Sequence, residues 1–344
     1  MFDPRGVMAI YRHTTDLPDE AQGAVIAIGN FDGVHRGHQA VIDKAGRLAR
    51  EFEASLGVLT FEPHPRRFFR PDSPPFQLTS FRLKLRLLEA LGVDNVFVLP
   101  FNQALSELSA EDFVRRILVE GLRARHVLVG DNFVFGHQRG GDTALLERLG
   151  RSGGFGVTAM RQVGGSTGEA YSSSGIRSYL TAGNPTRAAL LLGRYWEIEG
   201  RVQTGAKLGR KLGFPTANIA LGGMLEPAYG VYAVRAGIDR GKQTAWHPGV
   251  ANLGVRPMVE GPALDSREPL LEVHLFDFDE DLYGQHMRVA LVDYLRPEMT
   301  FDDMAAMRVQ MVEDSRRARV ILDWEDWDPA WPASPFMSVT HARE

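Results

Sequence analysis

The sequence predicts two domains: a doubly wound, Rossmann-like α/β domain over residues 1–184, then a small antiparallel barrel or sandwich over 185–325, with an irregular tail at 326–344. Three observations lead there. Through the first half, short apolar runs alternate with helical stripes, the pattern of a parallel sheet with crossover helices. After a TAGNP break at 181–185 the texture changes to closely spaced strand-like runs separated by Gly and Pro. The length, 344 residues, suits two domains of roughly 100 to 200 residues each.

Runs 24–29 (AVIAIG), 56–60, 95–99, 126–129 and 156–161 read as buried strands. Between the first two, Val41, Ile42, Ala45, Leu48, Ala49 and Phe52 recur at the spacing of one helix face, completing a βαβ unit. Stripes at 81–91, 109–118 and 142–149 repeat that pattern. Ligands are therefore expected at the carboxyl ends of the strands. In the second half, a helix-like stretch at 188–192 precedes strand-like runs at 195–202, 214–220, 230–236, 270–276 and 287–295. Residues 301–322 regain a helical pattern through Met304, Met307, Met311 and Val320.

Composition narrows the chemistry. Hydrophobic residues make up 44% and charged residues 24%, so both domains can bury cores. Lys plus Arg total 39 against 43 Asp plus Glu, a net charge of −4. Without a basic excess, phosphate recognition is local, and small phosphorylated ligands fit better than nucleic acid. The absence of cysteine removes disulfides, thiolate nucleophiles and Cys-ligated metals. No apolar run approaches the ~20 residues that span a bilayer, and the first twelve residues lack a signal-peptide core. A cytoplasmic monomer or weak homo-oligomer, with no membrane partner, is the expectation.

Directly after the first strand stands Gly29-Asn30-Phe31-Asp32-Gly33-Val34-His35-Arg36-Gly37-His38, followed at once by the amphipathic helix. A strand, a Gly-rich turn and a helix start together make an anion site. His35 and His38, three apart, can face one triphosphate and donate hydrogen bonds to charge that builds as pyrophosphate leaves. Two other readings stay open: a capping turn with ordinary surface histidines, or an incomplete metal pair.

The G-x-F-D-G-x-H-x-G-H run resembles the ATP-binding signature of nucleotidyltransferases that adenylylate a small phosphorylated acceptor. It is most similar to the amino-terminal module of bacterial bifunctional riboflavin kinase/FAD synthetases. Phe61-Glu62-Pro63-His64-Pro65, Gly130-Asp131-Asn132-Phe133-Val134-Phe135-Gly136 and Ser172-Ser173-Ser174-Gly175-Ile176-Arg177 match that module in order. The resemblance implies catalytic roles for His35, His38 and Arg177. It implies ATP contacts at Gly29, Phe31, Gly33, His35, His38, Ser173, Ser174 and Arg177, and flavin contacts at Pro63, His64 and Asn132. Ser174 and Gly175 stand where the family more often has Thr and a basic residue. From the residues alone, 61–65 also reads as a rigid Pro-bounded loop, Asn132 as a turn former, and Phe61, Phe133 and Phe135 as core.

A second constellation begins at Gly200 and runs through Gly205, Lys207, Gly209 and Arg210 to Phe214-Pro215-Thr216-Ala217-Asn218. The cationic Gly-rich loop can wrap phosphates. In an extended segment Thr216 and Asn218 share a face, so both can offer oxygen to one hard cation, magnesium being the natural candidate; an ordinary polar sheet face is the alternative. Glu272 is a charge inside the apolar run LEVHL, readable as a general base or as an outward-facing residue.

Residues 194–322 resemble the riboflavin kinase module over nearly its whole length, through GRVQTGAKLGRKLGFPTANI, GVYAV, GVANLGVRP, LEVHLFDFDEDLYG and YLRPEMTFDDM. The resemblance implies a six-stranded barrel with a terminal helix, magnesium and nucleotide ligands at Thr216 and Asn218, further ATP contacts at Gly205, Lys207, Gly209 and Arg210, and a catalytic base at Glu272. Met258 stands where the family often has Thr. The implied function is conversion of riboflavin to FMN and of FMN to FAD, with ATP and Mg²⁺. A flavin-binding regulator with one decayed module, and a nucleotidyltransferase for another phosphorylated acceptor, are the rivals.

Overall fold

A computed structural model describes residues 7–165, 168–203, 214–240, 243–255 and 269–323. They fall into two compact units: 7–73 with 84–171, and Pro74–Leu83 with Ser172 onward.

The sheet of the first unit holds β1 (Ala9–Tyr11), β2 (Val25–Ile28), β3 (Leu56–Glu62), β4 (Asn95–Pro100), β5 (His126–Gly130) and β6 (Gly156–Met160). Its spatial order is β1-β4-β3-β2-β5-β6 and every pairing is parallel. The doubly wound expectation holds. β2 is buried along its whole length, as a central strand covered on both faces must be. From β2 the chain moves to β3 on one side, while β5 and β6 lie on the other. The topological switch point is therefore the β2–β5 pair, and the turns after both strands open there.

The helices in chain order are α1 (Arg36–Glu51), α2 (Pro65–Phe69), α3 (Phe81–Ala90), α4 (Gln103–Ser106), α5 (Ala110–Phe113) and α6 (Thr143–Gly153). α1 buries Ile42, Ala45 and Ala49, the stripe its sequence spells, but starts at Arg36, before that stripe begins. The 109–118 stripe departs from a plain helix. After α5 it widens into a π-helical stretch, Val114–Gly121, in which Leu122 N–H bonds to the Ile117 carbonyl at 2.8 Å. The wider turn keeps Val114, Ile117, Leu118 and Leu122 in one core. β1 escaped the sequence reading because a three-residue, half-exposed edge strand carries no periodic signal.

The second unit opens with α7 (Ser173–Thr181) and α8 (Pro185–Leu192). Its strands are β7 (Trp196–Arg201), β8 (Ala217–Ala220), β9 (Gly230–Arg240), β10 (Gln243–Val255), β11 (Pro269–Leu275) and β12 (His286–Arg296), followed by α9 (Met304–Leu322). The order β7-β12-β9-β10-β11-β8 is antiparallel throughout. A bridge between Gln203 and Asn218 joins the two outer strands, so the six-stranded sheet curls into the expected barrel. α9 covers one side of it, packing Ala318 and Leu322 against Val231, Ala233 and Val292. Asp303 caps α9 by accepting from Ala306 N–H at 2.7 Å.

The 214–220 run becomes a shorter strand, because Pro215 has no N–H to give to a ladder. β10 went unread since Pro248, Gly249 and Gly254 carry turn signals inside it. Segment Pro74–Leu83 is also part of this unit. Gln77 bridges to Met224, and Trp196 Nε1 donates to the Leu78 carbonyl at 2.7 Å.

Candidate functional sites

At the switch point of the first unit the turn after β2 bends sharply. Phe31, Gly33 and Val34 all have positive φ, at 49°, 87° and 41°. A left-handed valine is a genuine outlier, costing on the order of 1–3 kcal/mol, and such strain persists where the surroundings over-determine it, often at functional sites. Phe31 and Val34 are anchored by complete burial, which fixes the turn and aims the residues after it.

His35 then caps α1: its Nδ1 accepts from the His38 backbone N–H at 3.3 Å. With Nδ1 accepting, the ring proton sits on Nε2. The imidazoles of His35 and His38 stack with centroids 3.6 Å apart and planes 19° from parallel, and the Phe31 ring meets His38 edge-on at 5.2 Å. His35 is only 6% exposed. Burial drives the His38 pKa well below the usual histidine value, helped by the nearby charges of His35 and Lys84. A neutral His38 imidazole therefore stands beside His35 at a helix N-terminus, where free amides and the helix dipole favour anions. Stacked rings do not converge on a metal, and among the described residues no group of three His, Cys, Asp or Glu side chains forms a metal site. His35 is thus a capping residue, as one reading of the turn expects, but a buried one rather than an ordinary surface histidine.

Gly37 leaves little room for a side chain in this packing. A Cβ there would stand 3.1 Å from the His35 ring and from the Tyr171 carbonyl. At the end of β3, His64 is buried and caps α2, accepting from Arg66 N–H at 3.1 Å, while Pro63 is exposed. After β5, Phe133 N–H closes a turn on the Gly130 carbonyl at 3.0 Å and leaves Asn132 exposed. Phe135 belongs to the core, with Phe133 stacked on it at 5.5 Å.

Ser173, Ser174 and Arg177 lie on α7 in the second unit. Ser172 caps that helix through Gly175 N–H at 3.1 Å, and Ser174 Oγ donates to Ser172 Oγ at 3.3 Å. Arg177 Nε donates to the Phe76 carbonyl at 2.7 Å, with the guanidinium over the Phe76 ring at 5.5 Å.

The barrel carries the second site. In register, Glu272 on β11 stands directly opposite Asn218 on β8 and Asn252 on β10. Directly paired residues share a sheet face, so Asn252, Glu272 and Asn218 form one polar row. Asn218 is 4% exposed. Beside it opens a cavity of about 250 Å³ lined by Thr216, Asn218, Phe278, Asp281 and Tyr283 among others. His274, two residues after Glu272, donates from Nδ1 to the Pro215 carbonyl at 3.0 Å and so fixes the approach to Thr216. Gly205, Lys207, Gly209 and Arg210 lie outside the described residues.

The sequence reading missed Asn252, His274 and the buried Lys84. Only Lys84 left a sequence signal: it shares the helical face of Leu87 and Leu88.

The FAD synthetase family model matches residues 17–175, and the riboflavin kinase model matches 192–322. A bifunctional riboflavin kinase/FMN adenylyltransferase of Pseudomonas fluorescens is 43% identical over 91% of this chain and 98% of its own length. One from Escherichia coli K12 is 40% identical over 87% and 92%. A crystal structure described as a macrolide-efflux protein of Streptococcus pneumoniae superimposes with a TM-score of 0.78 at 26% identity, covering 92% of this chain and 99% of that one. Among the described residues of this chain no helix is long and apolar enough to cross a membrane.

Proposed function

Since this chain belongs to the bifunctional riboflavin kinase/FMN adenylyltransferase family, phosphorylating riboflavin to FMN and adenylylating FMN to FAD, we propose that the two reactions divide between the barrel and the switch-point turn. The observation that carries this division is that each compact unit holds its own polar cluster, His35–His38 in one and Thr216–Asn218–Glu272 in the other.

In the barrel, Glu272 accepts the proton of the ribityl hydroxyl as that oxygen attacks the γ-phosphorus of ATP, releasing ADP. Thr216 and Asn218 suit magnesium. Both offer hard neutral oxygens at a cavity, Asn218 directly opposite the Glu272 carboxylate, and Mg²⁺ typically takes one or two protein ligands and leaves the rest to phosphate and water. When bound, the ion would neutralise phosphate charge. Gly205, Lys207, Gly209 and Arg210 would wrap the phosphates.

In the first unit, an oxygen of the FMN phosphate attacks the α-phosphorus of a second ATP and the bond to pyrophosphate breaks. A phosphate monoester is already largely ionised near pH 7, so no general base is needed. The His35 and His38 N–H groups and the α1 amides would stabilise charge on the leaving pyrophosphate. Gly29, Phe31 and Gly33 shape the turn, and Pro63, His64 and Asn132 border the flavin. The net charge of −4 supports small-molecule ligands over nucleic acid, and a cytoplasmic monomer or weak homo-oligomer completes the reading.

The test is incubation of the purified chain with riboflavin, ATP and magnesium, followed by chromatographic separation of the flavins. FMN and then FAD are expected. A chain that binds flavin and converts none of it would instead be a regulator.

A further inference from the structure

Among the described residues Lys84 is the only buried lysine, at 1% exposure. Lysine is almost never fully buried unless paired, because an unsolvated ammonium is costly. The groups that compensate it are the Glu62 carboxylate at the end of β3 and the Asp32 carboxylate in the turn after β2. Asp32 and His35 are themselves buried. Glu62 Oε2 and His38 Nδ1 are both buried, with no hydrogen-bond partner among the described residues. Two carboxylates, one ammonium and two imidazoles thus gather where β2 and β3 end. Nothing about folding an α/β sheet requires a charge there, and such concentrations mark functional sites.

We propose that Lys84 is a positioning residue for adenylyl transfer: its ammonium group ties the Asp32 turn to the Glu62 strand end beneath the stacked imidazoles and offsets the carboxylate charge that ATP would otherwise meet. The two carboxylates bring −2 and the Lys84 ammonium +1. Without Lys84 the −2 remains, which repels both polyphosphate and FMN phosphate. Holding Asp32 also steadies the left-handed turn at Phe31 and Val34 that aims His35. Lys84 opposes protonation of His38 as well, a contribution that follows burial and His35 in size. The His38 imidazole thereby stays neutral.

The inference rests on adenylyl transfer occurring at the His35–His38 turn, and a separate variant tests that premise. If His38→Ala leaves FAD formation intact, the premise fails whatever Lys84 does. The proposal itself is tested with Lys84→Met, Lys84→Arg and Glu62→Gln in the full chain. The readouts are kcat and KM for FAD formation from FMN, the His38 imidazole titration by NMR, and riboflavin phosphorylation as a check on folding. For Lys84→Met we expect kcat to fall about 10²-fold, the loss that a displaced catalytic constellation brings. The KM for ATP should change much less, the His38 midpoint should rise, and riboflavin phosphorylation should persist. Lys84→Arg keeps the charge, so the His38 midpoint should stay near that of the parent and part of the rate should return.

An unchanged FAD rate or an unmoved His38 midpoint in Lys84→Met overturns the proposal, as does a Lys84→Arg variant with a raised midpoint. Should Lys84→Met fail to fold, Glu62→Gln decides. Loss of one carboxylate should lower both the His38 midpoint and the FAD rate, and no movement in either rejects the coupling.

Discussion

Glu272 and Asn218 face each other directly across the β11–β8 pair, which sets the proposed base of the kinase reaction beside a proposed magnesium ligand at the cavity wall. A proton acceptor must lie within hydrogen-bond reach of the attacking hydroxyl, and phosphate-bound metal must lie close to the same reacting centre. One strand pairing satisfies both.

Replacing Glu272 with Gln keeps the size of the side chain and removes the acceptor. Riboflavin phosphorylation should fall about 10² to 10⁴-fold, while FAD formation from supplied FMN continues. Chromatography of the two product flavins reads this directly, and equal loss of both reactions would count against separate sites.

Asn218→Ala should raise the magnesium concentration needed for half-maximal kinase rate and leave the magnesium dependence of FAD formation alone. Titrating each reaction with the metal distinguishes the two. A parallel shift in both would remove Asn218 from the kinase metal site.

Gly37→Ala brings a methyl group to 3.1 Å from the His35 ring and the Tyr171 carbonyl. Overpacking of this kind costs typically about 1–3 kcal/mol and here turns the His35 imidazole away from its stacked position. FAD formation should drop and riboflavin phosphorylation persist, as measured by initial rates of each.

Acid should destabilise the chain through two partly buried histidines. Burial lowers the pKa of His38 and of His274 below the value of about 6.5 for an exposed imidazole. As pH falls through that value the unfolded chain takes up protons that the folded chain refuses, so stability present above about pH 6.5 is lost progressively below it. Thermal unfolding midpoints against pH should show the decline, and a His38→Asn variant should show a shallower one.

Arg296 grips both carboxylate oxygens of Asp314 with Nε and Nη2, at 2.7 to 3.1 Å, pinning α9 to β12. Asp314 is 2% exposed, and Gln310 adds a further bond to it at 3.0 Å. Asp314→Ala strands the arginine and should cost about 3–5 kcal/mol, visible in denaturant unfolding. Retention of full stability would mean that α9 is held by its apolar contacts alone.

Much of this was legible in the sequence. The alternation of strands and helices, the Gly29–His38 turn at a helix start, the T-x-N spacing of Thr216 and Asn218, and the charge of Glu272 inside an apolar run are local patterns. Periodicity and turn chemistry act over a few residues, so they survive in one dimension. The readings that failed were those where local signals conflict, as in β10, whose Pro248 and glycines argue for turns inside a long strand.

What the sequence determined by itself is the order of the two fold classes along the chain and, through its motifs, the kind of chemistry each half carries. Only the tertiary structure decided which groups meet: the β2–β5 switch point, the 3.6 Å stack of His35 on His38, and the row Asn252–Glu272–Asn218. Lys84, one cation in an amphipathic stripe, became a buried charge by the same route. The reason is that strand order and register follow from packing between distant segments, and a slip of one residue would turn Glu272 to the opposite face of its sheet.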